Sequence, residues 1–182
     1  MAKQPAKTTT QTTRMDGKRV RIVTKVTAAG TKVTVKAAPI EEWILQAAAV
    51  RALKSMPEYA ATAAHVAAND NAGRPSFTIA GDMNGDYRSK RAAVKAQATG
   101  IAAGDPDLRV YLPNGRLKLI EYKNAEGTLT ASQKIRHPLL SALGHPVDTL
   151  KVATEEEAAQ RTVELVRGWL NDYSLPACLT NL

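Results

Sequence analysis

Hydrophobic and polar residues alternate with a period of two over residues 18–27 (KRVRIVTKVT) and again over 31–36 (TKVTVK), with Ala-Ala-Gly30 between them. Such alternation around a glycine predicts a β-hairpin over residues 18–37, basic on one face. The pattern then changes. Glu41-Glu42-Trp43-Ile44-Leu45 through Leu53 has helical spacing, with Pro39 and two acids at its start and Lys54 at its end. That arrangement suits the helix dipole. Pro57 interrupts, and the alanine-rich stretch 58–73 predicts a short helix and a loop. Phe77–Ala80 reads as a short strand, 82–87 with Asn84-Gly85 as a turn, and Ser89 as the cap of a helix ending near Ala98 and Gly100.

Two apolar runs follow, Leu108–Leu112 and Arg116–Lys123, joined by Pro113-Asn114-Gly115. An Asn-Gly pair between strands predicts a tight hairpin. Thr130-Ala-Ser-Gln133 has capping-box spacing and opens a helix to Gly144, in which Pro138 should force a bend or a split. Val147–Ala153 predicts a strand, and Thr154-Glu-Glu-Glu157 a second capping box before a helix to about Leu170. Helices interleaved with strands, including one antiparallel pair, predict an α/β fold with a mixed central sheet flanked by helices. The domain reading is a tail over 1–17, the basic hairpin over 18–37, a main domain over 38–173 and a C-terminal tail over 174–182. The tail should be disordered, because residues 1–15 have almost no large apolar side chain to offset the entropy of ordering.

Charge sharpens this division. Residues 1–37 hold nine Lys and Arg and one acid, Asp16, which accounts for the whole formal excess of +8; the remaining residues balance to zero. A basic arm beside a neutral body suits a polyanion, although a solubilising tail has the same composition. The single Cys178 rules out an internal disulfide and a cysteine-based zinc site. No apolar run approaches the ~20 residues of a membrane span, and the N-terminus has no signal-peptide stretch. These features predict a cytoplasmic protein with no membrane partner.

The candidate chemistry lies in the second hairpin. Glu121 and Lys123 are two apart on a strand and share a face, with Ile120 and Tyr122 on the other. The hairpin returns them toward Asp107, at the start of the partner strand. Two carboxylates and a main-chain carbonyl form an incomplete oxygen shell suited to Mg²⁺, and a neighbouring lysine can balance phosphate charge. A cross-strand ion pair on a solvent face would use the same residue types. His65, His137 and His145 lack partners at ligand spacing and read as surface or loop residues. Trp43 and Trp169 read as core.

From about Glu42 to Leu170, some two thirds of the chain, the sequence resembles the VRR-NUC branch of the PD-(D/E)XK nucleases. The motifs are Glu42-x-x-x-Gln46, Gly104-Asp105-Pro106-Asp107, Glu121-Tyr122-Lys123 and Leu129-Thr-Ala-Ser-Gln133, in order. The resemblance implies a restriction-endonuclease-like core and metal-dependent hydrolysis of nucleic acid, with Mg²⁺ as cofactor and Mn²⁺ as substitute. It implies Asp107, Glu121 and the Tyr122 carbonyl as metal ligands, Lys123 as the catalytic lysine, Glu42 as the helix-borne acid completing the site, and Gln133 as an orienting group. Gln133 could equally be a capping-box member and Glu42 a helix-dipole partner, with Glu41 able to take the place of Glu42. Asp105 adds a fourth carboxylate where an apolar residue is commoner. Arg88, Lys90, Arg91 and Lys95, with Arg19 and Arg21 of the arm, would hold a DNA backbone. Small stand-alone members look like phage junction resolvases, which implies branched, flap or junction DNA as substrate and favours a homodimer. The alternative is a non-catalytic nucleic-acid-binding protein on a nuclease fold.

Overall fold

A computed structural model describes residues 7–82, 94–95 and 98–172. The chain divides into two compact units, Met1–Pro39 and Ile40–Leu182.

The first unit is a three-stranded antiparallel sheet of β1 (Lys7–Met15), β2 (Lys18–Thr27) and β3 (Gly30–Ala37), in that order. The hairpin of β2 and β3 is the one the alternation predicts. The tail differs from expectation: residues 7–15 pair along their whole length with β2, from Lys7 opposite Val26 to Met15 opposite Lys18. Two local features account for this. Asp16 and Gly17 both have positive φ (50° and 74°), the geometry a tight two-residue hairpin needs. The strand that precedes them is rich in β-branched threonine, which favours extended backbone without requiring a buried core.

The second unit begins with α1 (Glu42–Lys54), with Glu42 in its first turn and Arg51 and Lys54 in its last. Next come α2 (Ala63–Asn71), capped by Thr62 through the His65 N–H, and the short strand β4 (Thr78–Gly81). The predicted 82–87 turn and the helix after Ser89 fall almost wholly outside the described residues, as does the C-terminal tail. Strands β5 (Leu108–Tyr111) and β6 (Leu117–Lys123) form the expected hairpin, with Asn114 and Gly115 at φ 60° and 70°. Helix α3 (Ala131–Ala142), β7 (Val147–Lys151) and α4 (Glu155–Asn171) complete the order.

The sheet runs β4-β5-β6-β7, antiparallel at its first two pairings and parallel between β6 and β7. It is the predicted mixed sheet flanked by helices. Both halves of the Thr130–Gln133 capping box are formed. The second box is half formed: Thr154 accepts the Glu157 N–H, while the Glu157 carboxylate takes Ala153 N–H at 2.7 Å. Helix α3 is not split at Pro138. The carbonyl that a proline there leaves without a helical partner belongs to Lys134, an exposed position open to water.

Alternation sorts the two faces of β5 and β6. Leu108, Val110, Ile120 and Tyr122 enter the core with Leu45, Ala49 and Leu53 of α1 and Ala158, Val166, Trp169 and Leu170 of α4. The Tyr122 hydroxyl is satisfied by Thr162 at 3.0 Å. Trp169 is core as expected, but Trp43 is not: it is 63% exposed, and its indole N–H reaches the Glu41 carboxylate. The opposite face of β6 carries Leu119, Glu121 and Lys123, all buried, with Gln133 and His137 of α3 buried there too.

Candidate active site

Residue parity on β6 determines what the end of the sheet presents. The N–H and C=O of one strand residue point to the same edge, and neighbouring residues point to opposite edges. The Lys123 carbonyl accepts from Val152 N–H at 2.9 Å, so Lys123 turns its backbone toward β7. Tyr122 therefore turns its backbone toward β5, beyond the paired part of that strand. There the Asp107 carboxylate accepts the Tyr122 N–H at 2.8 Å. The bond uses one carboxylate oxygen, leaves the second for another partner, and brings the Tyr122 carbonyl to the edge where Asp107 lies. Asp107 itself is fixed through its own carbonyl, which accepts from Gln46 Nε2 at 2.7 Å and from Asp82 N–H at 2.9 Å.

Glu121 and Lys123 form the centre. Neither lies on a solvent face: Glu121 is fully buried and Lys123 only 4% exposed. The Lys123 ammonium lies 2.6 Å from Glu121 Oε1 and 2.9 Å from Glu42 Oε2. Glu42 also accepts the Asn124 N–H at 3.3 Å, so the first turn of α1 closes over the end of β6. Glu41, engaged with Trp43, is not the acid at the site. Gln133 is the capping-box member the spacing predicts and also reaches Glu121. Its carbonyl accepts Thr130 N–H at 2.9 Å within the capping box, and its amide donates to Glu121 Oε1. The structure thus brings together Asp107, Glu121, Lys123, Gln133 and Glu42.

His137 is the residue the sequence reading misplaced. It is buried, one helical turn after Gln133, with Nε2 3.8 Å from Glu121 Oε2. The signal available was the i,i+4 spacing of Gln133 and His137, which puts both on one helix face. Its other contact is a hydrogen bond with the Gly104 backbone. Gly104 has φ +85°, and a Cβ there would stand 2.6 Å from the Ser132 carbonyl carbon, so the loop can seat against the start of α3 only with glycine. Asp105, the fourth carboxylate, is held by Arg136 at 2.6 Å and Arg109 at 3.2 Å. Lys95 is exposed; Arg88, Lys90 and Arg91 lie outside the described residues, and Arg19 and Arg21 are on β2.

The electrostatics follow from burial. Asp107 is pushed up to about 7, first by desolvation and then by the Glu121 charge, against the opposing pull of the Tyr122 N–H and Lys123. Desolvation likewise raises Glu121, with Lys123 and Gln133 opposing it. Burial alone would lower the Lys123 amine, but its bonds to Glu121 and Glu42 outweigh that and hold it above its ordinary value. Lys123 is therefore an ammonium that donates hydrogen bonds, not a free base. Desolvation and the Lys123 charge lower His137, leaving its imidazole neutral near pH 7.

Among the described residues, no three His, Cys, Asp or Glu side chains form a ready metal-holding group. The donors that are present still fit a hard divalent cation. Glu121 Oε2 is buried without a hydrogen-bond partner, Asp107 feels the Glu121 charge, and a carbonyl lies on the same edge. Two carboxylates and a carbonyl suit an ion that keeps most of its ligands as water. No family model, curated protein or solved structure matches this chain. Among the described residues no helix is long and apolar enough to cross a membrane.

Proposed function

We propose that the second unit is a metal-dependent nuclease with a restriction-endonuclease-like core of the VRR-NUC type. It hydrolyses DNA phosphodiesters, with branched, flap or junction DNA as the preferred substrate. The observation that carries this reading is Glu121. A carboxylate with no exposed surface and one oxygen without a partner is costly to bury, and it lies beside Asp107 and an ammonium at the end of the sheet. Expensive, incompletely satisfied charge of this kind is characteristic of sites that bind a charged ligand.

Asp107, Glu121 and the Tyr122 carbonyl would hold Mg²⁺, or Mn²⁺ in its place, with Glu42 completing the set. When bound, the ion supplies positive charge against the developing phosphoryl charge and acidifies water at neutral pH. The protonated Lys123 would donate to a phosphate oxygen or to the attacking water, with Glu42 and Glu121 orienting it. Gln133 fixes the Glu121 carboxylate from α3. Lys95, Arg88, Lys90 and Arg91 would track the DNA backbone, contacts that position a substrate without reading its sequence.

A second reading keeps the fold and drops the chemistry. The close ion pairs of Lys123 with Glu121 and Glu42 favour a nucleic-acid-binding protein in which these three residues are a structural network. The two readings separate on labelled four-way junction, flap, duplex and single-stranded DNA with Mg²⁺ or Mn²⁺. Cutting by the parent that Asp107→Ala and Lys123→Ala both abolish supports the nuclease. Binding without cutting of any substrate supports the alternative.

A further inference from the structure

The strand register of the first unit segregates its charge. Directly paired residues on neighbouring strands point to the same face. Arg14 is opposite Arg19, Arg21 is opposite Lys36, and Lys25 is opposite Lys32. Arg19, Arg21 and Lys25 alternate along β2, so all six cations lie on one face. The remaining paired positions of that face are threonines and Val23, apart from Gly30 at the β3 edge. The reverse face is mainly apolar or uncharged, with Met15, Val20, Ile22, Val26, Val33 and Val35, and its two lysine positions, 7 and 18, fall at the strand ends opposite Val26 and Met15.

Like charges placed directly opposite each other destabilise a sheet, and this face repeats that arrangement three times. The sole acid among residues 1–39 is Asp16, in the turn between β1 and β2. A solubilising surface would disperse its charge over both faces or intersperse acids. This one concentrates cations and hydroxyls, the two side-chain types that hold phosphate oxygens. Alternate residues along an antiparallel strand repeat every ~6.8 Å, about twice the rise per nucleotide of one DNA strand.

We propose that this face is a duplex-DNA backbone-binding surface, distinct from the catalytic centre, that holds phosphates through paired cations and is blind to base sequence. The choice of DNA over another polyanion rests on the nuclease reading of the second unit; the binding geometry does not. The test is the salt dependence of binding by the full-length chain to a fluorescein-labelled duplex, measured by anisotropy in EDTA so that no cutting is needed. Each phosphate contact contributes a slope of about −0.9 to log K against log salt. Lys25→Gln and Lys32→Gln should each flatten the slope by about 0.9 and the double variant by about 1.8, while Lys25→Arg with Lys32→Arg keeps the parental slope. Lys7→Gln removes the same charge from the other face, since Lys7 pairs with Val26, and should leave the slope unchanged. Circular dichroism shows whether each variant keeps its sheet.

Equal slope changes from Lys7→Gln and Lys25→Gln would overturn the proposal, because they describe a diffuse basic tail. So would polyglutamate competing with duplex as effectively, charge for charge, as unlabelled DNA. A parent that binds with the predicted slopes but cuts nothing in Mg²⁺ leaves this surface in place and removes only the nuclease reading.

Discussion

Replacing Lys123 by methionine keeps most of the buried stem and removes the ammonium that bridges Glu121 and Glu42. The two halves of that bridge differ. The Glu42 side chain is 35% exposed, so its half is screened by water and contributes under about 1 kcal/mol. Glu121 is fully buried, and losing its counter-ion should cost about 3 kcal/mol, the lower end for a broken buried pair. For a unit of this size, that lowers the unfolding temperature by about 6–12 °C. The loss should depend on pH. The Glu121 pKa is raised above its unfolded value of 4.5, so the folded chain holds the proton more tightly than the unfolded one. Its contribution is favourable at low pH and is lost as pH rises through the folded pKa. Without Lys123 that pKa rises further, so the deficit should be larger at pH 8 than at pH 5. Differential scanning calorimetry in EDTA at the two pH values measures this, with Lys123→Met/Glu121→Leu recovering most of the loss. A deficit under about 1 kcal/mol, equal at both pH values, would instead describe an exposed pair and rule out a buried one.

Other consequences follow from the same geometry. Asp107 titrates near 7 in the fold against 3.8 unfolded, so the metal-free protein should lose stability as pH rises through that window. Mg²⁺ or Mn²⁺ competes with that proton, and the thermal upshift on adding either should be larger at pH 8 than at pH 5.5; an equal upshift counts against Asp107 as a ligand. Gly104→Ala should destabilise by roughly 2–4 kcal/mol, because a Cβ meets the Ser132 backbone at 2.6 Å and the residue has positive φ; urea unfolding measures it. Gly17→Val, at φ 74°, should weaken the first sheet by about 1–2 kcal/mol and speed hydrogen exchange in residues 7–15, leaving the second unit unchanged.

The sequence revealed most where local chemistry decides structure. Asn114-Gly115 imposes its turn, Thr130 and Gln133 their capping box, and period two puts Glu121 and Lys123 on one face. The burial of that face was not legible. It depends on β7 pairing in parallel with β6 and on α3 covering the result, both set by contacts distant in sequence. The same dependence explains the misplaced residues. His137 and Trp43 each lie on a helix whose covered side only the tertiary arrangement reveals. Residues 7–15 differ from expectation for another reason: low hydrophobicity predicts disorder, but Asp16-Gly17 and a threonine-rich strand are enough to extend a hairpin already present.

The proposed nuclease requires Glu121 as a catalytic-site carboxylate, beyond its part as the buried partner of Lys123. Its most direct test is the single-turnover cleavage rate of branched DNA by the parent and by Glu121→Gln in Mn²⁺, a substitution that keeps shape and hydrogen bonding while removing the charge. The variant should fold, bind DNA like the parent and cut it at least about a hundredfold more slowly. A folded Glu121→Gln variant cutting at the parental rate would contradict it.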